Sequence, residues 1–310
     1  MRVVFFGTPE FAVASLEAFM AGGTEVAAVV TTPDRPAGRG QKVLFSAVKQ
    51  CALQHHIPLL QPEWLKDEAF LESLRSLRAE AFVVVAFRML PEAVWAMPPQ
   101  GTFNLHASLL PRYRGAAPIN WAIINGESVT GVTTFMLNHH IDEGAILLQR
   151  SVELASNETA GSLHDKLASV GQHLVVETLD GIEKGILTPR PQQGIACPAP
   201  KIYKETCKIN FQATAREVER FVRGLAPYPA ATLSLCTPAG EIIPFKIFRC
   251  KVSDTQSTAC GAVECDGKST LKIAASDYFV EILELQMAGK RKNSVEEFLR
   301  GKDLTGCKLV

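Results

Sequence analysis

The sequence predicts an α/β protein, with a mainly parallel sheet in the first part of the chain and a small β-barrel after it. Three observations carry this reading. Over the first 185 residues, short apolar runs alternate with helix-like stretches of about 10–15 residues, the rhythm of a parallel sheet with crossover helices. Residues 186–204, opening with ILTPRPQQGIACPAPK, are proline-rich and without periodicity, so they read as a linker. Beyond them, strand-like runs follow at the spacing of a barrel or sandwich. A length of 310 residues exceeds one comfortable core, and boundaries at 1–185, 186–204 and 205–310 are expected.

Val3–Phe6 is an apolar run that ends at Gly7-Thr8-Pro9. Helical spacing over Glu10–Ala21 puts Phe11, Ala14, Leu16 and Phe19 mostly on one side, and Gly22-Gly23 stops it. Glu25–Val30 is a second strand, Val43–His55 and Asp67–Arg78 are helices, and Ala81–Phe87 is a fully buried strand. After a strand at Thr102–His106 come a helix near Ala117–Asn125, strands near Val132–Leu137 and Ala145–Val152, and a long helix over Thr159–Lys184. The sheet is expected to turn antiparallel in this tail. In the last segment a helix over Thr214–Gly224 precedes strands at Thr232–Cys236, Ile242–Cys250, Ala262–Cys265, Leu271–Ala274 and Tyr278–Leu285.

Composition excludes several classes. The chain is 47% hydrophobic and 21% charged, as ordinary globular proteins are. No apolar run reaches the ~18 residues of a membrane span. The N-terminus lacks the features of a signal peptide, so the cytoplasm is expected. Eight cysteines are scattered without a CxxC pair, which favours reduced thiols over zinc fingers or disulfides. The net charge of zero hides an asymmetry: residues 1–200 hold 15 Lys+Arg against 19 Asp+Glu, and the remainder 17 against 13. The basic second part is compatible with a polyanionic partner.

The most informative stretch is Thr102-Phe-Asn-Leu-His-Ala-Ser-Leu-Leu-Pro111. Strand alternation puts Asn104 and His106 on one face, where the strand breaks into a loop, and open α/β sheets place active sites at such ends. An amide can hold a polarised carbonyl oxygen while an imidazole takes a proton from an attacking atom. The base should have a carboxylate to orient it, and Asp142 is the candidate, with Glu143 as rival. His139 and His140 beside them raise the question of a metal, but no pair in that set has helical i,i+4 spacing, and none is expected. Gly7-Thr-Pro-Glu lacks the later glycines of a dinucleotide turn, and Pro9 removes an amide that a phosphate would need. The segment 33–42 (PDRPAGRGQK) is long, Gly/Pro-rich and basic, with Arg35, Arg39 and Lys42 suited to a phosphate backbone.

These residues resemble the methionyl-tRNA formyltransferases. The resemblance is carried by Gly7-Thr-Pro-Glu-Phe-Ala12, by 33–40, by Asn104-x-His106-x-Ser108-Leu-Leu-Pro111 with Arg114-Gly-Ala116 and Pro118, and by Gly131-Val-Thr133 with Asp142. It continues through Lys201-Ile-x-Lys-Glu205 and Pro227-Tyr-Pro229, and so runs across both domains. It implies a Rossmann-like formyltransferase domain, an OB-like barrel that binds tRNA, and catalysis by Asn104, His106 and Asp142. The implied co-substrate is 10-formyltetrahydrofolate, with no metal. Its pterin would lie among Phe87, Arg88, Met89 and Leu90, the turn of Ser108, Leu109, Leu110 and Pro111, and His139, His140 and Ile141. Arg35, Arg39 and Lys42 would hold initiator methionyl-tRNA, and a monomer is expected. Two departures fall in the pterin site. The family usually has Ala-Tyr-Gly where this chain has Ala86-Phe87-Arg88, and His140 and Ala145 replace a usual glycine and a common aspartate. The nearest rival is a formyltransferase acting on a sugar-nucleotide amine, against which the 33–40 loop argues. A silent tRNA- or folate-binding protein is the rival from another class, and the intact Asn104/His106/Asp142 set argues against it.

Overall fold

The computed structural model describes residues 1–37, 42–257 and 259–310. In chain order its elements begin with β1 (Arg2–Gly7), α1 (Glu10–Ala21), β2 (Glu25–Val30), β3 (Arg35–Ala37), β4 (Lys42–Leu44), α2 (Ala47–Gln54), β5 (Leu59–Leu60) and α3 (Glu68–Ser76). Next come β6 (Ala81–Val85), α4 (Glu92–Trp95), β7 (Thr102–His106), β8 (Arg112–Gly115), α5 (Pro118–Ile124), β9 (Val129–Met136), β10 (Ile146–Glu153), α6 (Ala160–Glu183) and β11 (Cys197–Ala199). The remaining part holds α7 (Ala215–Leu225), β12 (Ala231–Cys236), β13 (Ile242–Gln256), β14 (Val263–Cys265), β15 (Leu271–Ala274), β16 (Tyr278–Met287), β17 (Asn293–Ser294), α8 (Val295–Leu299) and β18 (Lys308–Leu309).

Two compact units emerge. The first comprises Met1–Gly115, Val129–Glu153 and His164–Ala199; the second comprises Ala116–Ser128, Leu154–Leu163 and Pro200–Val310. In the first, seven strands run in the order β10-β9-β7-β6-β1-β2-β5. β5, β2, β1, β6 and β7 are parallel, whereas β9 and β10 are antiparallel, as the sequence leads one to expect. β1 sits mid-sheet, so the chain winds outward through β2 to β5 and then restarts at β6 on its other side. The resulting switch point beside β1 and β6 is where open α/β sheets bind ligands. The central strands have no exposed face: Val3 to Phe6 and Ala81 to Val85 are all buried, which explains their unbroken apolar runs.

The expected helix over Val43–His55 is shorter than its apolar pattern suggested. Ser46 caps α2 by accepting from the Lys49 amide, and residues 42–44 pair instead with 35–37 in a small hairpin. The strand over 81–87 likewise ends at Val85, where Ala86 takes a positive φ of 48°. The proline-rich stretch contains more structure than its composition shows. Arg190 bridges Ile146, and β11 pairs in parallel with β8.

In the second unit an antiparallel sheet, ordered β14-β15-β16-β13-β12-β18, curls into a nearly closed barrel. The long β13 makes this possible, because register shifts around Arg249 bend it against β16. α7 opens with a Thr214–Glu217 capping box and buries Val218, Val222 and Leu225 in the same core as Leu233, Phe245 and Ile282. No helix among the described residues is long and apolar enough to cross a membrane.

One position ties sheet packing to the loop after β7. A Cβ on Gly131 of β9 would lie 2.2 Å from the Arg150 carbonyl oxygen of β10 and 2.6 Å from Leu109. Gly131→Ala is therefore expected to cost about 1–3 kcal/mol through overpacking, read as a lowered urea midpoint with an unchanged m-value.

Candidate active site

β7 presents Asn104 half-buried and His106 buried on one face, with Phe103 and Leu105 packed on the other. The Asn104 side-chain amide has no hydrogen-bond partner among the described residues, so its donors are available to a ligand. The His106 ring is held at both nitrogens. Nε2 lies 2.8 Å from the Tyr113 carbonyl oxygen, and Nδ1 lies 3.6 Å from Asp142 Oδ2. A carbonyl can only accept, so Nε2 carries the hydrogen and Nδ1 faces the carboxylate. At 3.6 Å that contact is electrostatic rather than a hydrogen bond, a spacing common before substrate tightens a site.

Each partner of His106 depends on unusual backbone. Tyr113 and Asp142 both take positive φ, 60° and 54°, a conformation that a tyrosine rarely adopts. Asp142 Oδ2 also accepts from the Gly115 amide at 2.8 Å. Gly115 has φ 122°, and a Cβ there would lie 2.6 Å from the Ala199 carbonyl oxygen of β11. Only glycine permits β8 to approach β11 so closely while aiming its amide at Asp142.

Asp142 travels far to reach His106. The amide of Leu137, just after β9, donates to the Thr102 carbonyl at the start of β7, so the β9–β10 loop leaves from the opposite end of that strand. It must return along four residues, roughly 13 Å at ~3.3 Å each. Gln192 holds it there, donating to the carbonyls of Asp142 (2.8 Å) and Gly144 (2.9 Å) while accepting from Arg114. Arg114 also pairs with Glu143 at 2.8 Å. The geometry thus separates the two rival carboxylates: Asp142 faces His106, and Glu143 faces Arg114.

The Ser108–Pro111 turn is fixed from below by Thr133 of β9. Its hydroxyl donates to the Ser108 carbonyl (2.6 Å) and accepts from the Leu110 amide (3.2 Å) and Gln149 (2.9 Å). The Ser108 hydroxyl in turn donates to the Arg112 carbonyl. Ser108, Leu110 and Pro111 are buried, and Leu109 is half-buried.

In the loop after β6, Leu90 is buried and Phe87 packs on Phe6, but Met89 stands 74% exposed. The Arg88 guanidinium is engaged by the carbonyls of Pro62 and Glu63. Ile141 is 63% exposed, His140 is exposed, and exposed His139 meets Trp95 edge-on and lies 3.6 Å from Glu92. His139 and His140 do not join His106 and Asp142 in a shared ligand cluster among the described residues. Arg35 is exposed on β3, Arg39 lies outside the described residues, and the Lys42 backbone pairs with Ala37. The root of that segment is anchored. Asp34 pairs with Lys49 of α2, and Gln61 donates to Asp34 and to the Thr32 carbonyl, both at 2.9 Å. Hydrogen bonds from Lys49, then Gln61, hold the Asp34 carboxyl below its ordinary range.

Two family models match: "Formyl transferase" over residues 1–179 and "Formyl transferase, C-terminal domain" over 201–303. A methionyl-tRNA formyltransferase of Bacteroides fragilis is 50% identical over 311 residues, covering 98% of this chain and 96% of the relative. That of Bacteroides thetaiotaomicron is 50% identical, covering 97% and 95%. The chain belongs to the methionyl-tRNA formyltransferase family. Solved structures share the fold at lower identity. HypX from Aquifex aeolicus, crystallised with tetrahydrofolic acid, superposes with a TM-score of 0.65 at 19% identity, covering 99% of this chain and 48% of its own. The sugar 3N-formyl transferase WlaRD superposes at 0.64 and 18%, covering 94% and 99%.

Within this methionyl-tRNA formyltransferase fold, the sequence assigned no role to Thr133, which it named only as part of the resemblance, or to Tyr113 and Gln192. Tyr113 acts through its carbonyl, which no residue type advertises. Gln192 hides in a stretch whose prolines read as connector. Thr133 is one of three buried threonines in β9, and nothing in the letters separates it from Thr130 and Thr134. Thr133→Val keeps the volume but leaves the Leu110 amide and Gln149 short of an acceptor. A loss of about 1–3 kcal/mol is expected, measurable by chemical denaturation.

Proposed function

We propose that the chain is a monomeric cytoplasmic enzyme that transfers the formyl group of 10-formyltetrahydrofolate to the α-amine of methionine on initiator methionyl-tRNA. The observation that carries this reading is the unpartnered Asn104 amide on the same strand face as the His106–Asp142 pair. The relatives' names and the folate in the HypX crystals support it.

The amine nitrogen attacks the formyl carbon, and the carbonyl electron pair moves to oxygen, where Asn104 donates a hydrogen bond to the developing charge. His106 takes the amine proton at Nδ1, and Asp142 stabilises the resulting imidazolium. Collapse of the intermediate breaks the bond to the folate nitrogen, which leaves with that proton. No protein nucleophile is needed, because the amine is the substrate's own. Backbone groups of residues 87–90, 108–111 and 138–142 would hold the pterin, with Met89 and Ile141 offering apolar cover. Commitment of the Arg88 guanidinium to Pro62 and Glu63 keeps its charge from that surface. Arg35, Arg39 and Lys42 would contact tRNA phosphates.

Formyl transfer should be assayed with charged initiator tRNA and, in parallel, an amino-sugar nucleotide. Activity on the sugar alone would overturn the substrate assignment. His106→Ala is expected to lower kcat about 10²–10⁴-fold and Asn104→Ala about 10²–10³-fold; near-full turnover in either would remove the mechanism. Lys49→Met, which releases Asp34 and the root of the basic segment, is expected to raise KM for tRNA and leave KM for folate unchanged.

A further inference from the structure

A second constellation lies outside this site. Cys51 and the capping residue His55 sit one helical turn apart on α2, and Glu17 faces them from the neighbouring α1. Their ligand atoms (one thiol sulfur, one imidazole nitrogen and one carboxylate oxygen) all lie within 4.8 Å of one another. Among the described residues this is the one group of three that meets such a spacing. Cys51 is only 3% exposed, whereas Glu17 and His55 are exposed and free to rotate toward it.

We propose that Glu17, Cys51 and His55 form a zinc site that fastens α2 to α1. Zinc bonds sulfur at ~2.3 Å and nitrogen or oxygen at ~2.0–2.2 Å. A tetrahedron with those bonds has edges of roughly 3.3–3.6 Å, which small torsions of the two exposed side chains supply. The mixed sulfur, nitrogen and oxygen set favours zinc over magnesium or calcium, which prefer all-oxygen shells. Three protein ligands leave the fourth position to water. Binding as thiolate releases the Cys51 proton to solvent, so affinity should rise with pH. Lys49 of α2 and its capping residue Ser46 tie the helix to Asp34 and Thr31. A zinc ion would therefore secure the other end of the helix that roots the basic segment. This proposal is independent of the formyl-transfer reading.

The test is a cobalt titration of the chelator-treated full-length protein. A thiolate-to-cobalt charge-transfer band in the near ultraviolet should saturate at one ion per chain, disappear in Cys51→Ser, and be reversed by zinc. His55→Gln and Glu17→Gln change exposed side chains, so they report even where Cys51→Ser folds poorly. Each should weaken cobalt binding at least as much as the roughly 10- to 100-fold lost with an outer-shell partner. Zinc should also raise the Tm of the wild type but not of these variants. A missing band, a band that survives Cys51→Ser through the other seven cysteines, or wild-type affinity in both exposed variants would each overturn the site.

Discussion

The hydrogen bond from the Gly115 amide to Asp142 is the interaction on which the candidate active site depends. It joins β8 to the β9–β10 loop, and β8 also supplies the Tyr113 carbonyl that holds the other side of the His106 ring. One short strand thus fixes both the imidazole and the carboxylate. Its own position rests on β11 and on a glycine that tolerates close backbone contact. Positive φ at Tyr113 and Asp142 costs about 1–3 kcal/mol each, and the surrounding hydrogen bonds offset it.

Among the described residues, the hydrogen-bonded frame around His106 leaves the Asn104 side chain uncommitted. Thr133, Gln149, Gln192, Arg114 and Ser108 all have protein partners. The Asn104 amide does not. A rigid surround with one available donor is what electrostatic stabilisation of a transition state requires, because little reorganisation accompanies the reaction. The same division appears in the basic segment, where Asp34 and Lys49 fix the root and Arg35 remains exposed.

Much of the architecture was legible in the sequence because burial wrote it there. Val3–Phe6 and Ala81–Val85 are apolar on both faces, as central parallel strands must be, and Asn104 and His106 alternate as strand geometry demands. Features built from backbone were not legible. Nothing in the letters Arg112-Tyr-Arg-Gly115 shows a strand whose carbonyl and amide do the positioning, nor that β11 lies beside it. The helix over 43–55 misled because Val43 and Leu44 continue an apolar pattern that the Ser46 cap interrupts. The cysteines read as scattered thiols, because the Glu17 partner of Cys51 and His55 comes from another helix and shows only in the fold.

The proline-rich stretch carries a consequence for dissecting the protein. Its composition suggests a place to cut, yet Arg190, Gln192 and β11 are part of the first unit's structure. A fragment ended at residue 185 would keep the whole seven-stranded sheet and lose the clamp on the Asp142 loop together with the neighbour of β8. Such a piece would look folded by its core and still lack its active-site wall. The first unit therefore extends to Ala199, and residues 116–128 and 154–163, which belong to the second unit, interrupt it on the way.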